Sequence, residues 1–259
     1  MKQPLASIHP DAEIASSVEI GPFVTIDKNV VIGEGTQIGS NVTILEGSRI
    51  GNNCKIFPGA VIGAVPQDLK FKGEETLAII GNNTTIRECV TVNRGTVAKG
   101  KTVVGDNCLI MAYCHVAHDC IVGNNVILAN ATQLAGEVEI DDFAILGGGT
   151  MVHQFSRIGA HVMIGGATRV VKDVPPFAIA GREPISYAGV NTVGLRRRGF
   201  TNEQIDRIQD VYRILFQSTK NVTLALERIE NELPESNERE QIVQFVRNSP
   251  RGIIKGLVN

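Results

Sequence analysis

A parallel β-helix of stacked six-residue repeats, followed by a small helical domain, is the fold this sequence predicts. Three observations carry that expectation. An aliphatic residue recurs at every sixth position from Ile8 to Val170, and 25 of the 28 positions in this phase are Ile, Val or Leu. The composition suits a core of small and branched side chains, with no Trp, 5% aromatic residues and 27 Gly. After Phe177 the six-residue period stops and a helical period begins.

The aliphatic column runs without a slip from Ile8 to Ile62, resumes at Ile80, Ile86 and Val92, and continues from Val104 to Val170. Its exceptions are Asp68, Glu74 and Ala98. Four residues after each aliphatic stands a small or branched residue, among them Val18, Val24, Thr36, Cys54, Ala60, Thr84, Cys108 and Thr132. A Gly often follows the aliphatic directly, as at Gly21, Gly33, Gly51 and Gly123, and is read as the permissive backbone of a tight corner. A period of six fits neither an α-helix nor a simple amphipathic strand. It fits short strands turning a corner every six residues, with three sides to a coil and coils about 4.8 Å apart. Residues 18 apart then stack, and each buried aliphatic contributes roughly 1.5–3 kcal/mol gross. Stability is spread along such a stack rather than held by one residue.

Two excursions interrupt the repeat, at 63–79 and 93–103. Both keep the phase, so each is either a whole extra coil or a protruding loop; Asp68 and Glu74 at aliphatic positions favour a loop for the first. Beyond the hexads, Thr201 and Gln204 have capping-box spacing ahead of Ile205, Ile208, Tyr212 and Leu215. A second helix is expected around 221–233, carrying Leu224, Leu226, Ile229 and Leu233. A third is expected near 237–248, with Ile242, Phe245 and Val246 inward. The domains are therefore 1–188, a β-helix, and 189–259, an α-helical domain.

Composition excludes several classes of function. The 25 basic and 27 acidic residues nearly balance, so no global field for nucleic acid or a membrane surface is implied. Apolar runs are short and broken by Gly, so no membrane span is expected. The N-terminal residues lack the apolar core of a secretory signal, and five Cys without one suggest reduced thiols and a cytoplasmic location.

The stretch CHVAHDC at 114–120 has the look of a metal motif. The register takes it apart. Cys114 and Cys120 fall in the second inward column and read as packing, whereas His115, His118 and Asp119 fall in outward phases. One coil below the histidines, spacing by 18 places Val97 and Gly100; one coil above lie Gln133 and Gly136, so no neighbour supplies a third His ligand. His118 then lies beneath Gly136, Gly136 beneath Gln154, and Asp119 beneath Glu137. An imidazole is a suitable general base, and a Gly leaves a backbone N–H open to an oxyanion. A surface histidine on a polar side is the alternative that the residues alone leave open.

The hexads resemble those of left-handed β-helix acyltransferases, typically homotrimers with active sites between subunits. More narrowly, QDLKF at 67–71, NRGT at 93–96, HVAHDC at 115–120, DDFAILGG at 141–148, VHQF at 152–155, IGAHVMIGG at 158–166, DVPP at 173–176 and GLRRRGF at 194–200 resemble the UDP-N-acetylglucosamine 3-O-acyltransferase family. That resemblance spans nearly the whole chain. It implies transfer of an R-3-hydroxyacyl chain from acyl carrier protein to UDP-N-acetylglucosamine, the first step of lipid A biosynthesis. No cofactor is implied, because the phosphopantetheine thioester is a substrate, and no metal.

The resemblance also implies roles. His118 is the general base, Asp119 its support and Gly136 the oxyanion donor. Asp68, Lys70 and His115 contact the sugar and its neighbourhood; His153 and Gln154 line the acyl and pantetheine side. Asn191, Arg197 and Arg198 meet the nucleotide or the carrier, against the plainer reading of a solvated basic turn before a helix. Gly166 matches the position that limits acyl length, and a Gly there implies a long chain. Two positions depart from the family: Glu137 where it carries His, and Val193 where it carries Glu. The first adds negative charge above Asp119, which tends to raise the pKa of a nearby His; the second removes a polar contact near the nucleotide.

Four rival readings share the hexads. An N-acyltransferase of the same pathway carries an N-terminal nucleotide-binding domain, for which hexads beginning at Ile8 leave no room. Acetyltransferases that use coenzyme A lack the helical tail and GLRRRGF. A metal-dependent hydratase needs His ligands from adjacent subunits, and a non-catalytic scaffold predicts that His118 is dispensable.

Overall fold

In a computed structural model of the chain, residues 5–218 and 221–256 are described. Residues 1–4, part of the segment read for a leader, and 219–220 and 257–259, assigned to the helical domain, lie outside them.

Among the described residues the hexads build three sheets of nine, eight and ten strands, most of them only two residues long and all parallel except the last strand of the third sheet. The chain visits the sheets in rotation, so Ile8 pairs with Ile26, Ile14 with Ile32 and Ile20 with Ile38, each 18 residues on. The inward column is what makes this a fold. Ile26, Ile44, Ile62, Ile86, Ile110, Leu128, Leu146 and Ile164 are 2% exposed or less. The second column is buried with it, from Val24 and Val42 to Thr132 and Thr150.

The corner residues correct one part of the sequence reading. Left-handed backbone falls three residues after the inward aliphatic, not one, at Asn29, Asn41, Asn53, Asn83, Asn107 and Asn125 with φ of 52 to 58°. Asn tolerates that region because its short side chain makes local hydrogen bonds. The Gly that follows the aliphatic has a different reason to be there. A Cβ on Gly33 would stand 2.8 Å from the carbonyl carbon of Gly51 and 2.9 Å from the Asn52 nitrogen on the next coil. Close stacking, not backbone freedom, selects Gly at that place.

Both excursions are loops from one corner, where the chain passes from the first sheet to the second. Strand Val61–Ala64 belongs to the first sheet and Leu77–Ile80 to the second; Thr91–Asn93 and Lys101–Val104 repeat the passage one coil on. Ile62 consequently pairs with Val92, and Val92 with Val116, so these two steps are 30 and 24 residues rather than 18. The loops brace one another: the Arg94 N–H donates to the Ala64 carbonyl at 2.9 Å, and the Thr76 hydroxyl to the Gly95 carbonyl at 2.6 Å.

The stack ends in a strand, Ala178–Gly181, that pairs antiparallel with Ser186–Val190. Among the described residues four α-helices follow, α1 (Thr192–Arg197), α2 (Asn202–Arg213), α3 (Val222–Glu232) and α4 (Asn237–Arg247), with a π-helical turn, Ile214–Ser218, continuing α2. The capping box expected at Thr201 and Gln204 starts α2, and Ile205, Ile208, Val211 and Tyr212 are its buried stripe. Leu224, expected inward on α3, is 49% exposed. The segment read as a basic turn is α1, a short helix capped by Asn191. Tyr212 docks this domain on the stack by donating to the Pro176 carbonyl and stacking on Tyr187 at 4.8 Å. No helix among the described residues is long and apolar enough to cross a membrane.

Candidate active site

His118 and Asp119 lie at the corner between the first and second sheets, one coil above the second excursion. The strand His115–Val116 leads into it, and Cys114 and Cys120 on either side are 1% and 0% exposed. Burial pushes the Cys114 thiol up to about 11 and the Cys120 thiol to about 12. Neither presents a thiolate, and among the described residues no cluster of His, Cys, Asp and Glu could hold a metal ion.

Asp119 is not outward-facing as its phase suggests; it is completely buried. The excursion at 94–100 folds against it, because six extra residues at this corner displace the coil below. Thr91, not Val97, therefore lies beneath His115, and the two side chains join through Thr91 Oγ1 and His115 Nδ1 at 2.7 Å. The Asp119 carboxylate accepts from the Thr96 N–H at 2.9 Å, the Thr96 hydroxyl at 2.6 Å and the Lys99 N–H at 3.2 Å. Its Oδ2 also meets His118 Nδ1 at 2.8 Å. Burial alone would raise the Asp119 pKa, but the Thr96 hydroxyl, the His118 ring and the Thr96 and Lys99 N–H groups outweigh it and hold the carboxyl below its ordinary value. Thr96 and Lys99 were invisible to the hexad register, since the loop that carries them lies outside it.

An ionised Asp119 on Nδ1 selects the tautomer of a neutral His118 that has its proton on that nitrogen, so Nε2 is a free acceptor. Nε2 points at Gly136, one coil above: a Cβ there would stand 2.6 Å from it. The Gly136 N–H donates to no group among the described residues, while its carbonyl accepts from the Phe155 N–H at 3.2 Å. The His118 Nε2 and the Gly136 N–H thus share one corner. His115 is largely buried, and burial, helped by the nearby His118, keeps its imidazole below the usual histidine pKa. Glu137 takes the left-handed corner above Asp119 with φ 61° and donates its N–H to the His118 carbonyl at 3.0 Å.

The remaining expected residues fall into three groups. Gln154 lies one coil above Gly136 on the same corner, exposed, with His153 beside it. His153 Nδ1 meets the Gln154 carbonyl at 3.0 Å and the Arg251 guanidinium at 3.3 Å. Asp68 and Lys70 sit in the first excursion, where the Asp68 carboxylate accepts the Lys70 N–H at 2.9 Å; their hydrogen bonds stay within the loop. Asn191 and Arg198 pack at a different corner, between the second and third sheets. Asn191 is 6% exposed, caps α1 through the Gly194 N–H and donates to the His161 carbonyl at 2.9 Å. Arg198 donates to the Phe143 carbonyl at 3.0 Å and lies over that ring. His161, stacked between Phe143 and Phe177, is driven by burial to a pKa of about 4. Arg197 and Val193 are exposed. Gly166 occupies the third corner, from the third sheet to the first, above Gly148.

Residues 173–254 match the family described as Udp N-acetylglucosamine O-acyltransferase, Domain 2, and 101–136 match the bacterial transferase hexapeptide. The acyl-[acyl-carrier-protein]–UDP-N-acetylglucosamine O-acyltransferase of Thiobacillus denitrificans is 47% identical over 97% of this chain and 98% of its own length. A crystal structure of the UDP-N-acetylglucosamine acyltransferase from Bacteroides fragilis superposes with a TM-score of 0.97 at 59% identity, covering 98% of this chain and 100% of that one. The Arabidopsis UDP-N-acetylglucosamine acyltransferase superposes at 0.88 with 35% identity, over 98% and 100%. With such identity to these relatives over nearly the whole of its length, hexad stack and helical tail alike, the chain belongs to the UDP-N-acetylglucosamine O-acyltransferase family.

Proposed function

We propose that the chain transfers an R-3-hydroxyacyl group from acyl carrier protein to the 3-hydroxyl of UDP-N-acetylglucosamine, the first step of lipid A biosynthesis, with His118 as general base. The observation that carries this reading is the pairing of His118 Nδ1 with buried Asp119, which leaves Nε2 facing Gly136. Nε2 takes the proton of the sugar hydroxyl as its oxygen attacks the thioester carbonyl. The Gly136 N–H then holds the oxyanion of the tetrahedral intermediate. Collapse breaks the C–S bond, and the imidazolium returns its proton to the departing thiolate. Asp119 stabilises that imidazolium and fixes its ring. His115, neutral in its buried setting, donates to or accepts from the sugar without adding charge. No cofactor takes part.

The three corners suggest the assembly. Asp68, Lys70, His118 and Gly136 lie on one corner of the chain, Arg197 and Arg198 near a second, and Gly166 on the third. A substrate touching all three sets needs more than one copy, and a homotrimer with sites between neighbours supplies one set from each side. The cytoplasm, where both substrates occur, is the expected location.

His118→Ala tests the chemistry. Loss of a general base costs roughly 10²–10⁴-fold in transfer, read as acylated sugar nucleotide by mass spectrometry, with an unchanged melting transition. Full activity would refute the assignment of His118 as the base, whereas no acylated product even from the wild type would favour a non-catalytic scaffold.

A further inference from the structure

The loop at 94–100 takes no part in the hexad stack, yet it supplies three of the four hydrogen bonds that the Asp119 carboxylate accepts. Thr96 alone gives two of them. Its hydroxyl oxygen accepts the Ala98 N–H at 3.2 Å, so its own proton is directed at Asp119 Oδ2, 2.6 Å away. That same oxygen is the partner of His118 Nδ1. The loop is tied down by Lys99, whose ammonium lies 2.8 Å from Glu139, itself 3.5 Å from Arg157.

We infer that Thr96 is a positioning residue for acyl transfer: through Asp119 Oδ2 it sets both the direction of the His118 ring and the strength of the carboxylate's hold on the Nδ1 proton. The inference rests on His118 being the general base. Two effects meet at one oxygen. A carboxylate with fewer donors rotates more freely, and the ring it steers moves with it. A carboxylate with fewer donors also keeps more charge on Oδ2, which favours the imidazolium. The other charged or titratable groups around the pair are His115 beside His118, Glu137 on the coil above, and the Lys99–Glu139–Arg157 cluster behind the loop. None of them donates a side-chain hydrogen bond to Asp119, so the hydroxyl is a separable control.

Thr96→Val removes the donor at nearly constant volume, and Thr96→Ser keeps it. In Thr96→Val, kcat should fall about tenfold, since misplacing a catalytic group by ~1 Å can cost ~100-fold. KM for UDP-N-acetylglucosamine should hold within about twofold, and the acid limb of kcat/KM should move to higher pH. Thr96→Ser should restore both. Wild-type kcat and acid limb in Thr96→Val would overturn the inference, as would equal impairment in Thr96→Ser, which would mark a packing role. His118→Ala is assayed alongside: if it stays active the base assignment itself falls, whereas an inactive His118→Ala with a silent Thr96→Val sinks this inference alone. Should Thr96→Val fail to fold, ¹⁵N spectra of His118 in wild type and Thr96→Ser decide, with protonated Nδ1 in both expected and a proton on Nε2 of the neutral ring contradicting it.

Discussion

The His118 ring lies so close beneath Gly136 that a Cβ at 136 would stand 2.6 Å from both Nε2 and Cε1. No side chain tolerates that contact, so Gly136→Ala must turn the imidazole or lift the coil above it. Either movement takes Nε2 from its place while the inward column stays intact. Acyl transfer should fall by about 10²-fold or more, with a melting temperature within a few degrees of wild type. Retained activity at an unchanged melting temperature would show that the base does not work through this corner.

Asp119 links the same corner to acid stability. Its carboxyl is held below the ordinary value of 3.8, so the folded state favours the ionised form. The stabilisation is fully present above that ordinary value and is lost as pH falls through the lower folded one. Melting temperature should therefore drop as pH is lowered below about 4, and Asp119→Asn should flatten the drop while lowering stability at neutral pH. Parallel curves for the two proteins would mean the carboxylate is not ionised in the fold.

Much of this was legible because the repeat is strict. Any chain that sets Ile, Val or Leu at every sixth position has declared three sheets and a stacking register, and His118 beneath Gly136 follows from counting 18. The register failed where residues were inserted. Thr91 beneath His115, and Thr96 against Asp119, depend on how six extra residues leave a corner, and a period says nothing about that. It failed again at Asn191, whose buried amide caps α1 and holds the His161 carbonyl, because capping is decided by the neighbour that folds onto it. The glycines stand out in the sequence but their reason does not: Gly33 is required by the backbone of the coil above it, a contact between residues 18 apart rather than a local preference.

The cysteines give a test of the register that is independent of activity. Cys54, Cys108, Cys114 and Cys120 are buried in the second column, and burial raises all four thiols, Cys108 and Cys114 to about 11 and Cys120 to about 12. Cys89 is exposed at a left-handed corner. A thiol reagent at pH 8 should label the native protein once, at Cys89, and reach the other four only on unfolding. Rapid labelling of Cys114 or Cys120 in the native state would contradict the inward assignment, and with it the separation of these thiols from the histidines.

Gly166 sets the last prediction, on acyl length. It is exposed at the corner above Gly148, and its backbone is not left-handed, so an L side chain fits there without strain. A Cβ would meet only Gly148 backbone, the carbonyl oxygen at 3.2 Å and the nitrogen at 3.8 Å, a contact that a few tenths of an ångström relieve. Gly148 one coil below has no side chain to meet a residue placed at 166. If the acyl chain runs along this corner, Gly166→Met fills its far end and should shift preference toward shorter hydroxyacyl groups, with the rate on short donors preserved. Steric exclusion is sharp because an overlong chain has nowhere to repack, whereas one methylene too few costs only about 1–3 kcal/mol. Competition among hydroxyacyl carrier proteins of graded length, read by product mass, tests this directly. An unchanged product distribution would remove Gly166 from the acyl path.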